Sequence, residues 1–423
     1  MCKKMHTSAA ILVNGSWHAH LTFPVMTTVT SAGYDLAEAR VIKAYPKTVP
    51  EPAQVLFIID ELCRLGGAEG ALLRTIRLLP PEKYRATLVT FRLDLAVFPT
   101  FPCPFHLLPL RRTYDANAVK VGLQLRSLIR SQNVAIAHTF FETSDLWAAP
   151  IAKLSGVPIL ISSRRDLGIL RGSKHHLAYR FVNPMFDRVL AVSEEVRTYC
   201  LQHDRLPASK VTTLYNGIEL DPAEGGASLS RSELGCEAAS HLIITTANVR
   251  RIKGLDVLLR AAASVQREFP RAVFLIAGGV LEPEYLRELE DFKRTLALSD
   301  TVKFLGARQD VMPLLAASDV FCLPSRSEGF SNALVEAMAC GLPCVATRVG
   351  GNAEALADGE SGFIVDADAP EQLAQKLLAL LRDPGLRRRM GQSGKETAER
   401  RFSAQGMVTQ LTGIYDELLA LRR

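Results

Sequence analysis

The sequence predicts an α/β fold of two Rossmann-like domains, each a doubly wound parallel sheet, facing one another across a cleft. Three observations predict it. From residue 54 onward, short Val/Ile/Leu-rich runs alternate with longer stretches of helical pattern. The runs are apolar throughout rather than at every second position, as expected of parallel strands covered on both faces. The alternation is interrupted once, over DPAEGGASLSRSELG at 221–235, and then restarts at similar length. Two successive α/β units follow from that restart.

Taken in order, residues 1–52 show no clear periodicity and read as a disordered leader or as the product of a misplaced start codon. Lys3 and Lys4 precede a short apolar run, Ala9 to Val13, that Asn14 and Gly15 end too soon for the core of a signal peptide. The first domain, 53–220, carries VLFIID (55–60), TLVTF (87–91), VAIAHT (134–139), VPILISS (157–163) and RVLAVS (188–193) as buried strands. The segments between them are long enough for crossover helices. The Gly/Ser/Ala-rich stretch at 221–235 is the linker. The second domain, 221–402, carries HLIITTAN (241–248), AVFLIAGG (272–279), VKFLG (302–306), DVFCLPS (319–325), PCVATRV (343–349) and GFIVD (362–366). Asp383-Pro384-Gly385 reads as a turn between two helices. In the last segment, 403–423, Met407, Val408, Leu411, Ile414, Tyr415, Leu418 and Leu419 fall on one apolar helix face.

Bulk properties narrow the function classes. A chain of 423 residues buries large cores without disulfide or metal staples. Its eight cysteines form no CxxC pair and no Cys/His zinc spacing, and Cys322 lies in an apolar run. Free buried thiols in a reducing cytosol are the expectation. No run reaches the ~18 apolar residues of a membrane-spanning helix. The net charge of +6 is too dispersed for a dedicated nucleic-acid protein. An anionic ligand or a membrane surface fits it.

The chemistry concentrates at 319–355, DVFCLPSRSEGFSNALVEAMACGLPCVATRVGGNAEA. A strand ends near Pro324, a polar loop follows, and a helix runs from about Ser331 to Ala339 with Ser331 as its N-cap. Free N–H groups around Gly329, Phe330, Ser331 and Asn332 would then stand at a helix N-terminus on the carboxyl edge of a parallel sheet, a geometry that binds phosphate. Glu328 and Glu336 flank the turn with seven residues between them. Glu336 sits among Ala333, Leu334, Val335, Ala337 and Met338, where a carboxylate needs a partner. Both can face one cleft and accept hydrogen bonds from sugar hydroxyls. In NVRRIKGLDVLL (248–259), Lys253 and Gly254 end a strand-to-helix loop, and the helix buries Leu255, Leu258, Leu259 and Ala262. Lys253 with Arg250 or Arg251 would give fixed positive charge beside a diphosphate. In LGGAEGALLRTIRLL (65–79), Gly66 and Gly67 allow close backbone approach before an amphipathic helix.

The Glu328–Glu336 spacing resembles the E-x7-E signature of retaining glycosyltransferases of the GT-B fold, in particular glycosyltransferase family 4. The resemblance covers about 53–420 and is strongest between 245 and 365. It implies a terminal helix, 403–423, crossing back onto the first domain. It gives Glu328 the reacting face of the donor sugar and Glu336 the nucleotide ribose. The diphosphate would meet the backbone from Gly329 to Asn332. Lys253 and an arginine would stabilise the leaving nucleotide without a metal. The usual arginine lies five residues before the lysine, where this chain has Asn248, so Arg250 is the substitute. The resemblance places Gly66, Gly67 and Gly278 around the donor, and His138 near the donor sugar as a catalytic candidate. The implied donor is a nucleotide-diphosphate sugar as co-substrate, with no further cofactor. The acceptor is a saccharide or a lipid-linked molecule, in a role such as bacterial surface-polysaccharide synthesis. Arg164, Arg165, Arg171, Lys174 and Arg180 stand against one acid, Asp166. They suggest an anionic acceptor, or peripheral contact at the inner face of the membrane through 164–180. Two other readings stay open: a catalytically inactive nucleotide-sugar-binding scaffold, and a nucleotide-sugar 2-epimerase.

Overall fold

The computed structural model describes residues 51–63, 66–168, 171–219, 229–237 and 240–422. The expected leader, apart from Glu51 and Pro52, and the first part of the expected linker, 221–228, lie outside the described residues.

Seven parallel strands build the first sheet: β1 (Ala53–Ile59), β2 (Tyr84–Thr90), β3 (Phe105–Leu107), β4 (Ile136–Phe140), β5 (Ile159–Arg164), β6 (Arg188–Ala191) and β7 (Val211–Thr213). Their order is β3-β2-β1-β4-β5-β6-β7. Six more build the second: β8 (His241–Thr246), β9 (Ala272–Ala277), β10 (Val302–Gly306), β11 (Val320–Leu323), β12 (Cys344–Thr347) and β13 (Gly362–Val365), in the order β10-β9-β8-β11-β12-β13. Each order reverses once, between β1 and β4 and between β8 and β11. A crevice opens beyond the strands' carboxyl ends at such a switch point.

The apolar runs fold this way because both faces of each sheet are covered. In β1, Leu56 and Ile58 pack with Val121, Leu125 and Ala148 on one side, while Phe57 and Ile59 pack with Leu72 and Ile76 on the other. Successive side chains point to opposite faces, so a strand buried on both must be apolar at every position. In the second sheet Ile243, Phe274 and Ile276 meet Leu255, Leu258, Leu259 and Leu377, and Leu242, Ile244 and Leu275 meet the side that holds Leu334 and Met338. The sequence pattern does not reveal β3 and β7. Each has three residues, so neither builds a recognisable apolar run.

Two local features differ from or sharpen the sequence reading. Asp383-Pro384-Gly385 is not a free turn. Asp383 is the N-cap of the helix Pro384–Arg401, its side chain accepting from the Leu386 N–H at 2.9 Å, and Pro384 and Gly385 already belong to the first turn. Proline fits there because its missing N–H would have no partner in the first turn anyway. The last helix, Ala404–Ala420, buries Met407, Val408, Leu411, Ile414, Tyr415 and Leu418 in the same cluster as Val55, Phe57 and Ile59 of the first sheet. The chain reaches it through a bridge between Ile218 and Ser403. Ile218 N–H donates to the Phe402 carbonyl at 2.9 Å, and Ala404 N–H to the Ile218 carbonyl at 2.8 Å. A Cβ at Gly217 would collide with Ala404 and the Ser403 carbonyl, so only glycine admits this crossing.

Candidate active site

The site begins with two loops at the switch point of the second sheet. After β8, Arg251–Lys253 form one 3-10 turn, and Gly254 follows at φ 62° as the N-cap of the helix Leu255–Glu268. A side chain there would run into the Pro324 carbonyl. The loop is thereby pressed onto the end of β11. Arg326 locks the two loops together. Its guanidinium donates to both carboxylate oxygens of Asp256, at 2.8 and 2.7 Å, and to the Arg251 carbonyl at 2.7 Å. Bidentate pairs of this kind fix geometry as well as charge.

That scaffold brings Lys253 to Glu328. The Lys253 ammonium donates to Glu328 Oε1 at 2.7 Å, and the Ser325 hydroxyl donates to the same oxygen at 2.6 Å. The Glu328 side chain is 9% exposed and that of Lys253 23%. Just beyond, Ser331 caps the helix Asn332–Ala339, its hydroxyl accepting from the Leu334 N–H at 3.3 Å. A cation, a carboxylate and the positive end of a helix thus adjoin at one strand edge.

Across the cleft the first domain closes on this edge. Asn332 donates to the Gly67 carbonyl at 2.9 Å and accepts from Asn216 at 2.7 Å; Asn216 in turn accepts from Arg165 at 2.6 Å. A Cβ at Gly329 would collide with the Arg165 carbonyl. Glu336 feels the positive charge of Arg74, on the helix Gly67–Leu78, whose own ion pair is with Glu219 at 3.3 Å. Burial pushes the Glu336 carboxyl above the usual carboxylate range, and Arg74 pulls against it. Arg74 itself donates to the Gly217 carbonyl at 2.7 Å. Glu354 makes a second link between the domains. Its carboxylate accepts from the N–H groups of Glu194 and Glu195, at 2.8 and 3.0 Å, and from the Tyr215 hydroxyl at 2.9 Å. It thereby meets the N-terminus of the helix Glu194–Gln202.

Comparison with known proteins bears on what such an edge is for. The family description "Glycosyltransferase Family 4" matches residues 65–222, and "Glycosyl transferases group 1" matches 230–397. The chain is 30% identical to the N-acetyl-alpha-D-glucosaminyl L-malate synthase of Bacillus anthracis, over 72% of this chain and 81% of that one. The chain belongs to the family 4, group 1 glycosyltransferases. A D-inositol 3-phosphate glycosyltransferase from Thermobifida fusca is 29% identical over 74% of this chain and 76% of its own length. Among solved structures, Anabaena HepE in complex with UDP and glucose superimposes with a TM-score of 0.75 at 21% identity, covering 86% of this chain and 100% of that one. That likeness makes the fold GT-B.

For this family 4 glycosyltransferase, several residues singled out in the sequence come together: Lys253 with Glu328, Asn332 with Gly67, and Gly329 and Ser331 at the same edge. Gly66 precedes the helix of Gly67 as its N-cap. Gly278 packs so tightly on the end of β8 that a Cβ would strike the Ala247 carbonyl, and Asn248 accepts from the Gly279 N–H at 2.9 Å. Asn248 therefore holds the neighbouring glycine loop, in the place where the family pattern has arginine. The side chain of Phe330 is turned inward against Tyr215 and Phe402, with ring centroids 5.3 Å away in each case. Only its backbone is left to face a ligand. Arg250 is not brought to Lys253 and Glu328; its side chain pairs with Glu282 at 3.5 Å.

The catalytic expectation for His138 is corrected. The ring is 1% exposed, and both nitrogens are bonded inside the protein, Nδ1 to the Tyr415 hydroxyl at 2.7 Å and Nε2 to Ser163 Oγ at 2.9 Å. Burial, aided by Arg165, holds its pKa down to about 3. It is a neutral ring that docks the last helix. The expectation of a basic docking face over 164–180 is corrected as well. Arg164 is wholly buried, stacked 4.1 Å from the Tyr179 ring and set between Asp145 and Asp204. Arg171 pairs with Glu142 at 2.9 Å and Asp204 at 3.3 Å. Only Lys174 and Arg180 of the five basic residues are exposed. The sequence reading missed Arg74, Asn216, Asp256 with Arg326, and Glu354. Each lies in a helix or loop with no local mark of its role. The nearest signal was the acid in GGNAEA, after a glycine pair.

Proposed function

We propose that this glycosyltransferase moves a hexosyl group, with retention and without a metal, from a nucleoside-diphosphate sugar to an anionic saccharide or lipid-linked acceptor in the cytoplasm. The observation that carries the proposal is the Lys253–Glu328 pair, 2.7 Å apart, beside the capped N-terminus of the helix Asn332–Ala339. As the anomeric C–O bond breaks, the departing diphosphate gains negative charge. Lys253, turning from Glu328 to the diphosphate, and the free N–H groups of that helix stabilise that charge. Glu328, released toward the sugar, accepts from its hydroxyls at the reacting face. Glu336, held near Arg74, accepts from the ribose. Closure of the two domains over the donor excludes water and limits hydrolysis.

The comparisons lend support in two ways. HepE was crystallised with UDP and glucose. The curated relatives are named for malate and inositol 3-phosphate, both anions, and Arg165 offers a cation on the acceptor side of the cleft. Arg165 is held by burial down to about 10 and faces Glu69.

The test is donor screening by thermal shift, then rates and product stereochemistry by NMR. Lys253→Ala should lower turnover about 10²- to 10³-fold, the loss typical of removing one transition-state donor. Glu336→Ala should leave turnover nearer normal and weaken donor binding about 10- to 100-fold, as expected for lost charge-assisted hydrogen bonds. Wild-type rates in both variants would overturn the site assignment. Nucleoside-diphosphate binding with no transfer to any acceptor would favour the scaffold reading, and inversion at C2 the epimerase.

A further inference from the structure

We infer that a groove in the second domain, behind the turn that carries Lys253, binds a small molecule that joins a flat apolar body to an oxyanion, a phosphate or a carboxylate. The groove lies between the helices Leu255–Glu268 and Pro283–Thr295 and holds about 510 Å³. On the second of these helices Tyr285, Leu289 and Phe292 recur at the spacing of one face, and they give the groove an apolar floor. Tyr285 and Leu289 are buried, and Phe292 is half-buried. A concave volume of this size, with an aromatic floor and a few polar groups around it, suits a small molecule, whose sites span roughly 300–1,000 Å³.

The rim of the groove is cationic. Arg251, Arg260 and Arg326 line it against two acids, Asp256 and Glu288. Both acids are already engaged. Asp256 accepts twice from Arg326 and once from the Tyr285 hydroxyl, at 2.6 Å, and Glu288 pairs with Arg251. Arg260 is the cation left over. It is exposed, stands 4.7 Å over the Phe292 ring and enters no ion pair among the described residues. A guanidinium on an aromatic face is weakly hydrated and offers a planar fork that matches phosphate or carboxylate. Phe292 and Leu289 would take the apolar body of the same molecule. An inorganic anion leaves that floor unused, and a neutral ring leaves Arg260 unanswered.

The groove is separate from the candidate active site. Its two helices pack with Ile243, Phe274 and Ile276 on one face of the second sheet. The helix Asn332–Ala339 packs with Leu242, Ile244 and Leu275 on the other. The two places meet at the 3-10 turn Arg251–Lys253. Arg251 and Ile252 wall the groove, Arg251 standing 4.9 Å over the Tyr285 ring, while Lys253 of the same turn reaches Glu328. A body seated against Arg251 and Ile252 steadies that turn, so occupation of the groove is felt at Lys253 and tightens the hold on a nucleoside diphosphate. This coupling rests on the role proposed for Lys253; the groove itself does not.

The test is titration calorimetry of the full chain with phenyl phosphate, benzoate, inorganic phosphate and benzyl alcohol. Phenyl phosphate or benzoate should bind, and the tighter of the two names the oxyanion. Inorganic phosphate and benzyl alcohol each carry half of the chemistry and should bind about tenfold more weakly, or worse. Arg260→Gln should weaken the better aryl anion about 10- to 100-fold, and Arg260→Glu should abolish its binding. Both variants should melt as wild type does, because the Arg260 side chain is exposed. Lys253→Ala should still bind the aryl anion. With the aryl anion at saturation, the nucleoside diphosphate selected by the donor screen should bind about fivefold more tightly, the lower end of ordinary coupling between sites, and Arg260→Glu should remove that gain. Failure of both aryl anions to bind, undiminished binding to Arg260→Glu, equal binding of inorganic phosphate, or competition with the nucleoside diphosphate would each overturn the site. Binding that leaves nucleoside-diphosphate affinity unchanged would overturn the coupling. Wild-type turnover in Lys253→Ala would sink the reading of Lys253 instead, and the binding measurements would still decide the groove.

Discussion

Acidification is the sharpest test of the reading given to His138. In the folded protein its ring is neutral, with a pKa near 3 against an ordinary value of 6.5. Between those values the unfolded chain takes up a proton that the folded chain refuses. The stability contributed by the neutral ring is therefore complete above 6.5 and is lost as pH falls toward 3. At pH 5, 1.5 units below the ordinary value, the loss from this one residue is about 2 kcal/mol. His138→Gln keeps a donor and an acceptor for Tyr415 and Ser163 but does not titrate. Urea unfolding of both proteins at pH 7 and pH 5 gives the comparison, followed by Trp147, which packs edge-on against Phe91 in the first domain. The wild type should lose about 2 kcal/mol more than the variant over that interval, and its His138 ring resonance should not move above pH 4. Equal losses, or a ring titrating near 6.5, would refute the buried, fully bonded ring and return His138 to the list of catalytic groups.

Three further outcomes follow from the packing. Gly254→Ala places a side chain at φ 62° and against the Pro324 carbonyl; it should destabilise the protein by more than about 1 kcal/mol and displace Lys253, so that melting temperature and turnover fall together. Leu411→Ala, in the wholly buried seam between the last helix and the first sheet, should lower stability by about 2–5 kcal/mol, measured by urea denaturation. Glu354→Gln removes the charge that meets the N-terminus of the helix Glu194–Gln202 across the two domains; small-angle scattering should then show a more open average shape with little change in the stability of either domain. A scattering curve identical to wild type would count against Glu354 as a link between the domains.

Much of the fold is legible in the amino-acid sequence. Long apolar runs predicted eleven of the thirteen strands among the described residues, because burial on both faces demands apolar residues at every position, a strong local signal. β3 and β7 escaped because three residues carry too little pattern. The Ser331 cap, the helix after it and the buried residues after Gly254 were likewise local and readable. For the candidate site, Lys253 and Glu328 could be set at the ends of neighbouring strands from the sequence, and the structure brings the two side chains together. Nothing in the spacing could say that Arg250 turns to Glu282 rather than to the site, or that Asn248 holds the Gly279 loop.

The sequence by itself determined two parallel-sheet domains, the capped helix after Phe330 and the presence of carboxylates and a lysine beside it, because strand burial and helix capping act over a few neighbouring residues. Only the tertiary structure decided which groups meet. The charge of Arg74 acts on Glu336 from the other domain, Asn216 and Asn332 join the two domains, and Tyr415 seals His138 from solvent across 277 residues of chain. Charge, hydrogen bonding and desolvation depend on distance in space. A histidine at a strand end or an arginine in a basic segment has one meaning exposed and another buried, and burial is set by elements far away in sequence.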